Sequence, residues 1–320
     1  MSVTGHRPAA GVALILGAGG LFAAMDTLIR HTGALLPVLL MLTARYLFQA
    51  VMMAVWLARP SAPGYRPAHP RFQLARGALL LGSSAASFFG LQYLPVPEFT
   101  AISMLTPVLV TLLAAWLLHE RVSRLRWALV GGAFAGALIV IRPGSGLFGW
   151  AVLLPLAGSV AYASFQVLTR KLSALESPYT THFYTGLTGT LVVVALLLAS
   201  DVPLRATLQD ATALQIGLLL AIGTLGTLGH LMLVLAFGLA PTSTLMPFMY
   251  VQIAFAAAVG WLVFRHAPDG WGWVGMAVVA VCGAASAWLN VREAAAARAP
   301  VSALGADTIC LLYTSPSPRD

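Results

Sequence analysis

The stretch "LQYLPVPEFTAISMLTPVLVTLLAAWLLHE", residues 91–120, combines a long apolar run with three prolines and with a glutamate near its start. A helix of about 20 apolar residues crosses the roughly 30 Å hydrocarbon core of a bilayer, and this run is long enough. Pro95, Pro97 and Glu98 precede the run, where they suit a tight turn and the first turn of a helix. Pro107 lies inside it, where a proline frees a backbone carbonyl and bends the helix. We therefore predict a membrane-spanning helix with a hinge at Pro107.

The apolar character of this stretch extends through the whole chain. Of its 320 residues, 59% are hydrophobic and only 9% are charged, whereas a soluble domain carries about 25% charged residues. Apolar segments of about 20 residues recur from end to end, which predicts an all-α integral membrane protein with ten transmembrane helices. The predicted spans are residues 9–29, 35–58, 74–94, 97–118, 126–141, 148–169, 179–199, 212–237, 242–264 and 271–291.

Positive charges indicate how these helices are oriented. The formal net charge is +8, but the basic residues lie mostly in short loops between apolar spans, as topology signals do. This distribution argues against a nucleic-acid partner. More basic residues fall on the side of the N-terminus, which predicts that both termini are cytoplasmic and that the chain lies in a bacterial inner membrane. The expected partners are the lipid bilayer and a small-molecule substrate.

The two ends of the chain differ from the spans between them. The first 30 residues resemble a signal peptide, yet nine further spans follow, so we interpret them as the first transmembrane helix. Residues 292–320 form a tail whose last part, "ADTICLLYTSPSPRD" at 306–320, lacks helical pattern. We interpret the tail as disordered or artefactual. Cys282 and Cys310 have no CxxC motif or His partner, so neither a metal site nor a disulfide framework is expected.

The sequence contains a weak internal repeat. An offset of 140 residues relates "LFAAMDTLIRHTG" to "VAYASFQVLTRKLS", and an offset of 145 relates "MLTPVLVTLLAAWLLHE" to "MYVQIAFAAAVGWLVFR". The paired residues are Phe22 and Tyr162, Asp26 and Gln166, Met104 and Met249, and Pro107 and Gln252. Because five helices per half is an odd number, the second half must enter the membrane inverted, an arrangement common in transporters. We predict repeats at residues 1–145 and 146–291; chance similarity between apolar segments is the alternative.

One segment resembles a known family. Residues 106–144, "TPVLVTLLAAWLLHERVSRLRWALVGGAFAGALIVIRPG", and their fainter echo at 244–287 resemble the EamA-type exporters of the drug/metabolite transporter superfamily. This superfamily includes amino-acid exporters, among them exporters of aromatic amino acids, as well as nucleotide-sugar and phosphate-ester carriers. The resemblance covers about residues 9–291 and implies a carrier of small metabolites with a central cavity between the halves. Helices 1, 3, 4, 6, 8 and 9 would line that cavity, with helices 5 and 10 behind it.

Small residues on helices 5 and 10 are spaced for close helix contact. Gly132 and Gly136 lie four residues apart on helix 5, and helix 10 carries Gly275 and Gly283. Such residues let two helix backbones approach closely. They predict packing at the back of the fold, or a homodimer through these two helices, rather than contact with a substrate.

Polar and aromatic side chains at membrane depth are the candidate cavity residues. His230 shares one side of helix 8 with Gly226 and Thr227, and an ionisable residue inside a span is costly and usually faces a cavity. A neutral His230 bonded to a backbone carbonyl is the alternative. Asp26 and Arg45 form either a structural ion pair or a gating or substrate-binding pair. The predicted cavity residues are Phe22, Asp26, Arg45, Phe89, Tyr93, Thr100, Met104, Tyr162, Gln166, His230, Met249 and Gln252.

These residues predict a transporter rather than an enzyme. Phe89 and Tyr93, four residues apart, share a face of helix 3 and suit a flat or amphipathic ligand. The sequence lacks the motifs HExxH, GxSxG and GxxxxGK[ST], so no catalytic residue, cofactor or ATP-driven step is expected. Sparse charge in the cavity favours export of neutral or zwitterionic metabolites, amino acids including aromatic ones first. The alternatives are a passive channel or facilitator, and a nucleotide-sugar or phosphate-ester carrier of the same superfamily.

Overall fold

A computed structural model describes residues 8–60, 62–118, 124–142, 149–173, 175–240 and 242–296. Within these ranges the regular structure is helical, and no β-strand occurs there. The helices of the first half are α1 (Pro8–Thr32), α2 (Val38–Leu57), α3 (Pro70–Tyr93), α4 (Val96–Ser103), α5 (Thr106–Leu118) and α6 (Arg124–Ile141). The second half has a 3₁₀ turn (Gly149–Val152), α7 (Leu153–Ser173), α8 (Pro178–Leu198), α9 (Leu204–Gln209), α10 (Ala213–Leu239), α11 (Thr242–Met249), α12 (Val251–Phe264) and α13 (Gly270–Ala296).

Seven of the described helical segments are long and apolar enough to cross a membrane. Three shorter apolar helices, Val96–Val110, Trp127–Ile141 and Gly270–Ser286, fall on the remaining predicted spans. A multi-pass helical membrane protein is therefore confirmed, and crossing by the three shorter helices stays a prediction. α13 continues to Ala296, so residues 292–296, which were predicted to belong to the tail, are helical. Residues 297–320 lie outside the described residues.

The span predicted as one helix at 97–118 is broken, which corrects that prediction. α4 and α5 are separated at Met104 and Leu105. The N–H of Leu105 donates to the carbonyl of Ile102, three residues back, at 3.1 Å. Pro107 follows in the first turn of α5, where its missing N–H leaves no intrahelical bond unmade. The break lies just before the proline, and a hinge motion at this point stays a prediction.

The span predicted at 242–264 is broken as well. α11 and α12 are separated at Tyr250, and Pro247 lies inside α11. The internal alignment pairs Met104 with Met249, so the two breaks occupy corresponding positions in the two halves. The short helix α9, in the connection between α8 and α10, was not predicted.

The pattern of contacts between helices stays the same when each helix is replaced by its counterpart in the other half. α1 packs along α10, and its counterpart α7 packs along α3. Likewise α2 contacts α10, and its counterpart α8 contacts α3. α2 and α8, which correspond to each other, pack together at the centre. A two-fold axis between the halves predicts this pattern.

α6 and α13 pack against each other within the chain. A Cβ added to Gly136 would lie 2.9 Å from the carbonyl oxygen of Gly275, and one added to Gly275 would lie 2.7 Å from that of Gly136. The glycines of α6 and α13, which were predicted as the fifth and tenth spans, therefore let these two backbones touch. A homodimer through the same helices stays a prediction.

Candidate substrate cavity

A cavity lies among α1, α2, α3, α7, α10 and the two broken helices. Its empty volume, the open mouth included, is about 690 Å³. Eight of the predicted residues line it: Phe22, Asp26, Arg45, Met104, Tyr162, His230, Met249 and Gln252. The structure thus brings together side chains from α1, α2, α7 and α10, from the break between α4 and α5, and from the break between α11 and α12.

Both helix breaks contribute to the cavity wall. Ser103, Met104 and Thr106 come from the break between α4 and α5, and Met249 and Gln252 flank the break between α11 and α12. A broken helix leaves backbone groups without intrahelical partners, which a membrane protein tolerates where the backbone borders a cavity or other protein. Broken helices of this kind commonly form substrate sites in transporters.

Phe89 and Tyr93 do not line the cavity, contrary to the prediction. Their side chains are 39% and 57% exposed, and the ring of Tyr93 lies 5.2 Å from that of Trp150. At 100° per residue they lie opposite Leu80 and Ser84, which face the cavity. The two aromatic residues share a face of α3, as predicted, but that face points outward.

Thr100 and Gln166 are also absent from the cavity wall, although both are buried. Thr100 is 1% exposed and Gln166 is 3% exposed. Neither the hydroxyl of Thr100 nor the amide of Gln166 has a hydrogen-bond partner among the residues that the structure describes. Both side chains are buried away from the cavity. The polarity of a residue at membrane depth therefore did not predict whether its side chain faces the cavity.

The polar lining that sequence reasoning missed consists of hydroxyl groups. Ser83, Ser84 and Ser87 of α3 and Ser159 of α7 line the cavity. Ser84 accepts a hydrogen bond of 2.9 Å from the hydroxyl of Tyr46. The segment "GSSAAS" at 82–87 is the signal that could have revealed them, because small polar residues in a span mark either close packing or a wet wall.

His230 combines the two roles proposed for it as alternatives. Its Nδ1 lies 3.0 Å from the carbonyl oxygen of Gly226, and its ring also lines the cavity. Its ring centroid is 4.7 Å from that of Phe22 and 6.1 Å from that of Tyr162. Because Nδ1 donates to a carbonyl, Nε2 carries the lone pair and can accept a hydrogen bond.

Asp26 and Arg45 line the same cavity but do not form an ion pair. They are 7% and 1% exposed, and no described carboxylate lies within 4.0 Å of the Arg45 guanidinium. The guanidinium carbon lies 4.5 Å above the ring of Tyr46. The structure therefore places two opposite charges on the cavity wall without direct contact between them.

A cluster of polar side chains, the Arg76 cluster, joins the N-terminal part of α3 to α7 and α8. Arg76 is fully buried, and its Nε donates to Thr169 at 2.7 Å. Its Nη1 donates to the carbonyl of Thr181 at 3.0 Å and to the hydroxyl of Thr185. One turn earlier, Gln73 donates to the carboxylate of Glu176 at 2.5 Å. The sequence analysis did not single out this cluster.

Another set of contacts joins the helices at the opposite end of α3. Arg30, in the last turn of α1, donates to the carbonyls of Leu91 and Leu94. His266 Nε2 donates to the carboxylate of Glu98 at 3.0 Å. Along α3, the Arg76 cluster, the cavity residues and these carbonyls follow in order, so polar contacts join the helices on both sides of the cavity.

The model of the EamA-like transporter family matches this chain twice, at residues 9–142 and 149–288. The chain belongs to this family. The two EamA matches nearly coincide with the repeats predicted at 1–145 and 146–291. Both halves, including the two broken helices, are therefore parts of an EamA transporter.

Three named relatives are similar to this EamA chain along most of its length. A riboflavin transporter of Rhizobium johnstonii is 29% identical over 235 residues, 73% of this chain and 76% of its own. The pseudopaline exporter CntI of Pseudomonas aeruginosa is 28% identical over 260 residues, 81% of this chain and 89% of its own. An S-adenosylmethionine uptake transporter of Rickettsia bellii is 23% identical over 247 residues, 77% of this chain and 82% of its own.

The EamA chain also resembles a solved crystal structure. The two match with a TM-score of 0.64 over 89% of this chain and 99% of the other. Their sequences are 20% identical. At that level of identity, the likeness shows a shared fold alone.

Proposed function

We propose that this EamA transporter exports small neutral or zwitterionic metabolites, amino acids including aromatic ones, by alternating access of the central cavity. The observation that carries the proposal is the cavity wall, which combines the rings of Phe22 and Tyr162 with polar groups such as Gln252. Aromatic walls with a few placed polar groups suit an amphipathic ligand. The preference for amino acids rests on this chemistry alone.

The contacts on the two sides of the cavity support alternating access. Opening the side of the Arg76 cluster requires α3 to separate from α7 and α8, which breaks the three hydrogen bonds of Arg76. Opening the other side requires α1 to separate from the end of α3, which breaks the bonds from Arg30 to Leu91 and Leu94. A carrier that breaks one set while keeping the other exposes its cavity to one side at a time.

The two halves support the same mechanism, as five-helix repeats of opposite orientation. Three observations favour this arrangement. The family model matches each half, corresponding helices of the two halves make the same contacts, and the helix breaks lie at corresponding positions. When two inverted halves swap conformations, an opening on one side becomes an opening on the other.

The charges of the loops favour one direction of insertion. The Arg76 cluster lies beside the 58–69 connection, because Glu176 accepts from the N–H of His69 and Thr180 donates to the carbonyl of Gly64. This connection carries Arg59 and Arg66, which favour the cytoplasm. We infer that both termini are cytoplasmic in a bacterial inner membrane. A cysteine placed at Arg66 should react with a membrane-impermeant reagent only after the membrane is opened; reaction in intact cells would reverse the orientation.

Riboflavin is the second candidate substrate. Two observations favour it: the riboflavin transporter of Rhizobium johnstonii is 29% identical to this chain, and aromatic rings line the cavity. The S-adenosylmethionine and pseudopaline transporters show that relatives carry other small metabolites. The named relatives include an exporter and an uptake transporter, so export rests on the resemblance of the sequence to EamA-type exporters.

Counterflow in liposomes tests the transport proposal. The full chain is reconstituted, the liposomes are loaded with unlabelled compound, and entry of labelled compound is followed for L-phenylalanine, L-tryptophan, L-methionine and riboflavin. A carrier gives saturable entry that the internal compound accelerates. Entry that is neither saturable nor accelerated would indicate a channel. If no compound enters faster than it enters liposomes that lack the protein, the proposed substrates are wrong.

A further inference from the structure

We infer that the transported metabolite carries a carboxylate that binds Arg45 and a positively charged group that binds Asp26. The inference rests on the proposed function, because it assigns the charges of the ligand in the same cavity. It excludes a neutral ligand such as riboflavin as the preferred substrate. It also excludes a phosphate ester, whose two negative charges would meet one available guanidinium.

Arg45 has N–H groups that the protein leaves unused. Its Nε and Nη1 are buried and have no hydrogen-bond partner among the described residues. Its Nη2 lies 3.4 Å from Nδ1 of His230, but that nitrogen lies 3.0 Å from the carbonyl of Gly226. Nδ1 cannot donate to the carbonyl and accept from Arg45 at once, and the shorter contact takes the proton. No described residue therefore offers an acceptor to the guanidinium of Arg45.

The carboxylate of Asp26 likewise has no hydrogen-bond donor or cation bound to it among the described residues. The residue as a whole is 7% exposed, and its carboxylate makes no hydrogen bond and no ion pair within the part of the chain that the structure describes. It lines the cavity together with Arg45. A buried charge without a partner is costly, and the cost is greater at membrane depth. Two such charges on one cavity wall point to a ligand that supplies both partners.

The chemistry of the two groups selects the ligand. A guanidinium presents parallel N–H donors that match the two oxygens of a carboxylate. A carboxylate such as Asp26 attracts a ligand that carries an ammonium or sulfonium group. Arg76, the other buried arginine of the described helices, donates to Thr169, Thr181 and Thr185 and does not line the cavity. One free positive and one free negative group therefore match a zwitterion.

Binding of matched compounds to the purified full chain tests the inference by calorimetry. L-phenylalanine, L-tryptophan and L-methionine are each compared with the amide, which neutralises the carboxylate, and with the N-acetyl derivative, which neutralises the ammonium. Loss of a charged hydrogen-bond partner weakens binding by about 10- to 150-fold. We expect each derivative to bind weaker than its parent by that factor.

Variants assign the two preferences to the two residues. Arg45→Met should abolish the preference for acid over amide, and Arg45→Lys should restore part of it. Asp26→Asn should abolish the preference for the free amine over its N-acetyl form. Arg59→Met is the control: this arginine, just beyond the same helix, stacks on Trp56 at 4.2 Å and does not line the cavity. Thermal unfolding of each variant verifies that it is folded.

Each remaining outcome overturns the inference. If the amides bind as tightly as the acids, Arg45 does not bind a carboxylate. If riboflavin is transported while none of the three amino acids binds, the chain is a transporter but the ligand is not a zwitterion. If counterflow fails for all of these compounds, the proposed substrates fail, and the inference fails with them.

Discussion

The contact between α6 and α13 gives a prediction whose size follows from the structure. A methyl group added at Gly136 would lie 2.9 Å from the carbonyl oxygen of Gly275 and 2.9 Å from the backbone nitrogen of Val279. Both are backbone atoms of α13, so the helix itself must move. Forcing extra atoms into a packed contact costs about 1–3 kcal/mol. Alanine also favours the helix over glycine by about 0.5–1 kcal/mol, which offsets part of that cost.

Gly131→Ala is the matched control for Gly136→Ala. It lies on the same helix, and an added Cβ there would meet no atom within 4 Å. Because both variants gain the same helix propensity, the difference between their free energies of unfolding isolates the packing cost. We expect Gly136→Ala to be less stable than Gly131→Ala by about 1–3 kcal/mol, measured by equilibrium unfolding in mixed detergent micelles.

Equal stability of the two variants would refute the packing of α6 on α13. The same measurement also tests the predicted homodimer through these helices. A contact within one chain gives a loss of stability that does not depend on protein concentration. A loss that shrinks on dilution would indicate that these glycines meet in a dimer instead.

Three further predictions concern the site and its surroundings. Tyr162→Ala should weaken substrate binding by about 2- to 12-fold, the worth of one aromatic contact, whereas Tyr93→Ala should leave it unchanged in the same titration; equal losses would place both rings in the cavity. Arg76→Met should expose the cavity on the side of the Arg76 cluster, so a cysteine at Ser83 should react about 10-fold faster with a reagent supplied from that side; an unchanged rate would contradict the gating role. The N–H of Gly272 and the guanidinium of Arg142 lower the pKa of Asp269 below its ordinary value of 3.8. The stability that these contacts give is therefore present above the ordinary pKa and is lost as the pH falls through the folded one. Asp269→Asn should flatten this acid dependence of thermal unfolding, and an unaltered profile would exclude the contacts as its cause.

Hydrophobicity and proline placement were sufficient to predict the class of the protein. Eight of the ten predicted spans coincide with one apolar helical segment and the other two with a broken one, because burial of the backbone in lipid requires a helix of fixed minimum length. Pro107 marked the irregular helix, since proline cannot donate the hydrogen bond that a continuous helix needs. The match between Met104 and Met249 in the internal repeat indicated where the two halves correspond. These are local properties, and the sequence by itself determined them.

The tertiary structure decided which faces meet the cavity. Phe89 and Tyr93 share a helix face by periodicity, but periodicity does not say whether that face meets lipid, another helix or open space. In a soluble protein, hydrophobicity separates the inside from the outside. In a membrane protein, the lipid-facing surface is as apolar as the packed interior, so that separation is lost. Ser83 and Ser84, rather than the two aromatic residues, therefore line the cavity.

The missing contact between Asp26 and Arg45 is likewise a tertiary property. The sequence placed both charges within spans and allowed either a structural ion pair or a role in binding. Only the packing of α1, α2 and α10 set them on one cavity wall beyond the reach of a direct bond. The separation of two side chains on different helices depends on how those helices are packed, and no short-range pattern in the sequence encodes it.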